Sequence, residues 1–98
     1  MIDLTTKQIA HLRGLGQRLE PTLHVGQAGL TDALIAALNQ ALDNHELVKA
    51  KFAALKEQKR ALAPELAART DSVLVQRVGN VVVLYRPQSD PAKRKIIV

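Results

Sequence analysis

Two glycines three residues apart, Gly26 and Gly29, sit in the run Val25-Gly26-Gln27-Ala28-Gly29-Leu30-Thr31-Asp32. The chemistry open to such a run is capture of a sugar-phosphate backbone. Glycine accepts positive φ and puts no Cβ in the path of a bulky ligand. Behind the pair, Leu30 at N′, Thr31 at the N-cap and Ile35 at N4 form a hydrophobic staple, with Asp32 in the first turn. A helix is expected to start there, aiming unpaired N–H groups and a partial positive charge at an approaching anion. G-x-x-G also occurs in ordinary turns, so its surroundings decide.

Those surroundings are cationic. From Glu46 to Phe52 the chain alternates, with Val48, Ala50 and Phe52 on one side and Leu47, Lys49 and Lys51 on the other. Lysines two apart on a strand stand roughly 7 Å from each other, near the spacing of phosphates along a nucleic-acid strand. A lysine-protected sheet edge would carry the same pattern. Lys7, His11, Gly14 and Arg18 fall on one helical stripe, which reads equally as a solvated face. The 14 Lys and Arg against nine Asp and Glu give a net charge of +5, which favours a polyanionic partner, nucleic acid before membrane.

Catalysis finds no footing. His11, His24 and His45 share no ligand spacing, no paired carboxylates or nucleophile elbow occur, and Walker and dinucleotide glycine signatures are absent. No enzyme activity, metal, cofactor or small-molecule substrate is expected. One Phe and one Tyr cannot build the aromatic platform on which the RNA-recognition motif stacks bases. What remains is backbone clamping by the glycine loop with cations from helix 1, the second strand and the tail, the logic of the KH module.

The elements that must position these groups follow from periodicity. Thr5 and Gln8 form a capping box for helix 1, which runs to about Leu19 with Leu4, Ile9, Leu12, Leu15 and Leu19 as its apolar face before Glu20-Pro21 stops it. Thr22–Val25 is a short strand. Helix 2 spans Asp32 to about Asp43, with Asn44 as a left-handed stop. Strand 2 is Glu46–Phe52. Ala53–Thr70 reads as helical, and Pro64 either kinks it or opens a second segment at N1. Ser72–Val78 and Val81–Arg86 are strands joined by Gly79-Asn80, a two-residue hairpin signal. The resulting order, α-β-α-β-α-β-β, predicts an α/β two-layer sandwich with a four-stranded mixed sheet. Residues 1–87 form one domain, and 88–98 form a basic, mobile exit tail.

The 98 residues suit one modest core. No apolar run approaches the roughly 20 residues of a membrane span, and the N-terminus lacks a basic region followed by an apolar stretch. No cysteine is present, so a cytoplasmic setting is the expectation. No exposed apolar stripe stands out, which makes a monomer the expectation.

The ordered set Thr6-Lys7-Gln8, Leu12-Arg13-Gly14-Leu15, Leu19-x-Pro21, Val25-Gly26-x-x-Gly29-Leu30-Thr31, Glu46-Leu47-Val48-Lys49-x-Lys51 and Val83-Leu84-Tyr85-Arg86-Pro87 resembles the YhbY family. This is the stand-alone bacterial form of the chloroplast RNA splicing and ribosome maturation (CRM) domain. The resemblance covers about residues 3 to 87. It implies an RNA-binding domain with a fold like the C-terminal domain of translation initiation factor three. It also implies association with rRNA in precursors of the large (50S) ribosomal subunit, whereas plant relatives act in group II intron splicing. The candidate RNA contacts are Gly26, Gln27, Ala28 and Gly29 with Lys7, Arg13, Lys49, Lys51 and Arg86. Family loops often carry a lysine between the glycines; here the pair is Gln27-Ala28, which leaves backbone N–H groups and the Gln27 amide to act. Tyr85 and Pro87 are expected to serve packing. The competing class is a protein-interaction domain whose basic face is incidental.

Overall fold

The structure, a computed structural model, describes residues 3–96. Met1 and Ile2 lie outside them, as do Ile97 and Val98 at the end of the expected tail. Three α-helices and four strands alternate as α1 (Thr6–Gln17), β1 (Leu23–Val25), α2 (Asp32–His45), β2 (Leu47–Phe52), α3 (Lys59–Arg69), β3 (Val73–Val78) and β4 (Val81–Tyr85). The sheet order is β1-β2-β4-β3. β1 lies parallel to β2, and β4 runs antiparallel to both β2 and β3. The class, the order and the mixed sheet stand as the sequence predicts.

The layering does not. Alternate residues of β2 and β4 feed two separate cores. Val48, Ala50, Phe52, Val82 and Leu84 pack with Leu38 and Leu42 of α2 and Ala63, Leu66 and Ala67 of α3. Leu47, Val83 and Tyr85 pack from the other face with Leu12 of α1. The sheet is therefore sandwiched, α1 on one side and α2 with α3 on the other, in three layers rather than two. Both faces of β2 and β4 are apolar over part of their length, as an interior strand covered twice must be.

Local signals held where they were local. Thr5 caps α1 through a complete capping box with Gln8, and Thr31 caps α2 by accepting from the Leu34 N–H at 3.1 Å. Pro64 lies inside α3, so the helix neither ends nor restarts there. It begins later than expected, because Leu55 takes φ +55 and a 3₁₀ turn at Lys56–Gln58 precedes it. α2 runs past Asn44 to His45, and the residue with positive φ is Glu46 at +65.

Residues 88–96 do not leave the body. A short 3₁₀ turn at Pro91–Lys93 brings the chain back. The N–H groups of Gln88 and Ile96 donate to the Glu46 carboxylate at 2.8 and 3.0 Å, and the Lys95 N–H joins them. Ile96 packs against the α1 core. The expected exit tail is thus a clasp, held by a buried acceptor that local sequence does not announce.

Candidate nucleic-acid interface

β1 and β2, being parallel, finish side by side. The chain leaves β1 at Val25 and turns through Gly26–Gly29. The Gly29 N–H closes that turn on the Gly26 carbonyl at 3.0 Å. Gly29 takes φ +76, a left-handed conformation that glycine adopts without a Cβ penalty. At Gly26 a Cβ would meet nothing within 4 Å, so the approach to the turn is open. Gln27 and Ala28 form the exposed corners. Thr31 then donates to the Gly29 carbonyl and starts α2.

The segment after β2 packs beside this turn. The N–H groups of Ala53 and Ala54 both donate to the Val25 carbonyl at 3.0 Å. The Leu55 side chain lies 3.5 Å from where a Gly29 Cβ would stand. Lys51 at the end of β2, Lys56 opening the 3₁₀ turn and Arg60 at the start of α3 are exposed, and none has a protein partner. Lys59 donates to Asn80 of the hairpin turn at 3.0 Å, and the Asn80 carbonyl accepts from Phe52 N–H. Residues 51–60 thus bring four cations and one acid, Glu57, to the end of the sheet that carries the glycine turn. Lys56, Lys59 and Arg60 were missed in sequence because they lie in a segment read as plain helix; the signal for them is the charge density of 51–60.

The other expected cations are placed differently. Lys49 donates its Nζ to the carbonyls of Gly16 and Leu19, both at 3.2 Å, and so closes the open C-terminal end of α1. Arg13 donates Nε to the Val75 carbonyl at 3.0 Å, at the irregularity between Leu74 and Gln76 in β3. Lys7 stands exposed in the first turn of α1. β2 is an interior strand, so edge protection does not account for its lysines.

Arg86 lies at the far end of the sheet, beyond β4 and roughly 17 Å of strand from Lys51. It donates to the Asn39 side chain at 2.8 Å, to the carbonyls of Asn39 and Thr70, and to Asp43 at 2.7 Å, with its side chain 20% exposed. It ties α2 to the C-terminal end of α3, where helix carbonyls favour a cation. Glu46, with 0% of its surface exposed, sits beside it. Burial alone would raise its pKa, but three backbone N–H donors and the charge of Arg94 outweigh that and hold the carboxylate below the ordinary glutamate range. Tyr85, buried next to Glu46, is pushed up by burial and by that negative charge.

Among the described residues no group of three or more His, Cys, Asp or Glu could hold a metal ion, and no helix is long and apolar enough to cross a membrane.

The model of the CRS1/YhbY (CRM) domain matches residues 4–86. This chain belongs to that family. It is 41% identical over 91 residues to a Pseudomonas aeruginosa protein named Probable RNA-binding protein PA4753, spanning 92% of this chain and 88% of the relative. It is 38% identical over 91 residues to a Haemophilus influenzae protein named RNA-binding protein, covering 92% of each. The solution structure of the Staphylococcus aureus hypothetical protein SAV1595 superposes with a TM-score of 0.78 at 30% identity, over 97% of this chain and 100% of that one.

Proposed function

We propose that this CRM-domain protein is a non-enzymatic RNA-binding protein that holds the backbone of an unpaired rRNA segment and assists assembly of the large (50S) ribosomal subunit in the cytoplasm. The observation that carries the reading is the meeting, at one end of the sheet, of an open glycine turn with cations that no protein group neutralises. The turn offers the N–H groups of Gln27 and Ala28 and the Gln27 amide; Lys51, Lys56 and Arg60 supply charge to neighbouring phosphates. Lys59, already hydrogen-bonded to Asn80, adds field there. Of the cations weighed in sequence, Lys51 is central to this reading. Lys7 lies outside the cluster, and Lys49, Arg13 and Arg86 serve the fold. The names of the relatives point the same way.

With one turn, few cations and almost no aromatic surface, selectivity falls to RNA shape and to delivery onto a precursor particle. The protein acts as a monomer in this reading, with residues 1–87 binding and the segment from 88 clasping the far end.

Binding of labelled RNA across a salt series is the first test, with affinity falling linearly in log–log form as counterions are released. A low-salt sucrose gradient is the second. The protein should migrate with the large subunit or its precursor and be scarce on polysomes. Salt-insensitive binding, or capture of a partner that survives nuclease, contradicts the RNA reading; equal loading on small subunits or a polysome peak contradicts the assembly role alone.

A further inference from the structure

α1 covers only part of its face of the sheet. Gly16 abuts Val83 so closely that a Cβ there would lie 3.1 Å from the valine methyls, and the helix ends at Gln17. Beyond that point the register sets a row of residues across the same face. His24 pairs with Lys51, Lys51 with Val81, and Val81 with Val78. Three strand spacings make this row about 14 Å long. It begins two residues before Gly26 and carries His24 and Lys51 at the β1 side and valines at the β3 side. No helix covers it, and Val78 is the one large hydrophobic residue exposed among those described, at 61%.

Next to the valines lies an open groove of about 250 Å³, lined by Gln17, Lys49, Gln76, Val78, Val81 and Val83 among others. Gln76 reaches this face because the irregularity after Leu74 shifts the register and pairs it with Val83, so that Val75 and Gln76 both turn toward α1. Arg13 holds that shift by donating to the Val75 carbonyl. The groove therefore has an apolar floor, two side-chain amides able both to donate and to accept, and an ammonium at its rim.

We propose that this groove receives one unstacked nucleobase of the strand whose backbone lies on the Gly26–Gly29 turn, its ring against Val78 and Val81 and its edge toward Gln76 and Gln17. The inference rests on the RNA reading above and deepens it by naming the substrate as single-stranded RNA with a base free to leave the stack. An unpaired strand supplies such a base without the loss of pairing that a duplex would suffer. The commitment to a base follows from continuity. Backbone held at Gly26 has the His24 imidazole and the Lys51 ammonium as its next neighbours on this face, and the valines follow directly. Apolar surface faces the ring while amides meet the polar edge.

The test is an NMR titration of the full chain, reading valine methyls, glutamine side-chain amides and loop backbone amides. Two probes are used, a single-stranded octaribonucleotide of mixed sequence and an octamer of reduced abasic riboses. The octaribonucleotide should shift Gly26–Gly29 together with the Val78 and Val81 methyls and the Gln76 amide. The abasic octamer should shift the loop alone. A Val78→Ser, Val81→Ser variant should bind the octaribonucleotide roughly tenfold more weakly, in line with lost apolar burial, and bind the abasic octamer unchanged. If both probes move the loop and neither moves the valines, the base groove is overturned while backbone clamping stands. If neither moves the loop, both readings fall.

Discussion

At the end of the sheet where β1 and β2 finish, Lys51, Lys56 and Arg60 stand without partners beside an open turn. At the end where β4 finishes, Arg86 is committed to Asn39, Asp43 and Thr70, and the buried Glu46 carboxylate collects the N–H groups of Gln88, Lys95 and Ile96. Both ends are rich in charge. At the first the cations flank an open turn, whereas at the second the arginine is spent on holding α2 and α3 together. The difference shows that counting cations along a basic chain does not locate a binding surface; the partners each one has and the backbone it stands beside narrow the choice.

The sharpest way to break this contrast is Arg86→Ala. It removes four hydrogen bonds that join α2, α3 and β4, and a loss of about 3 kcal/mol in unfolding free energy is expected. RNA affinity of the folded fraction should be unchanged. Weakened binding at full stability would place Arg86 in the interface.

At the loop end the expected effect falls on binding. A Lys51→Ala, Lys56→Ala, Arg60→Ala variant should lower the log–log salt slope by about 2, near 0.7 for each lost phosphate contact to a single strand. Its melting temperature should match the wild type. An unchanged slope would assign these residues to solvent alone.

Two residues of one strand face refine the comparison further. Lys49→Ala should cost about 1 kcal/mol of stability by uncapping α1 and leave the salt slope alone, whereas Lys51→Ala should do the reverse. Identical behaviour of the two would erase the distinction drawn from the Lys49 bonds to Gly16 and Leu19.

The smallest effect is one of pH. Because the folded-state pKa of Glu46 is lowered, its contribution is fully present above the ordinary glutamate range and is lost as pH falls through the depressed folded value. In an acid titration followed by amide exchange, Lys95 and Ile96 should lose protection while β2 and β4 remain protected. Protection of the clasp that persists until global acid unfolding would show that Glu46 is not its anchor.

Much of this architecture was legible in sequence where its cause was local. The capping box at Thr5, the N-cap at Thr31, the Gly79-Asn80 hairpin and the period-two pattern of β2 all depend on residues a few positions apart. Non-local partners were not legible. Glu46 captures N–H groups more than 40 residues away, and nothing near Gln88 or Lys95 signals that. The same holds for the third layer. The apolar stripe of α1 requires burial but does not say which face of the sheet supplies it. Within the candidate site, Gly26–Gly29 and Lys51 were readable from type and spacing. Which lysine of β2 is free depends on where α1 ends, and the cations of 51–60 gather only because Leu55 turns the chain back beside Gly29.

The central claim is that the Gly26–Gly29 turn is where RNA backbone lies, and paired substitutions at Gly29 test it most directly. Asn and Asp tolerate positive φ similarly, and a Cβ at this position meets only Leu55 at an ordinary 3.5 Å. Gly29→Asn and Gly29→Asp should therefore melt alike, with only Asp adding a negative charge to the turn. Measured against the same single-stranded RNA at low salt, Gly29→Asp should bind about tenfold more weakly than Gly29→Asn, which itself falls modestly below wild type as the added side chain crowds the approach. Equal, wild-type affinity of both variants at matched melting temperature would contradict the account.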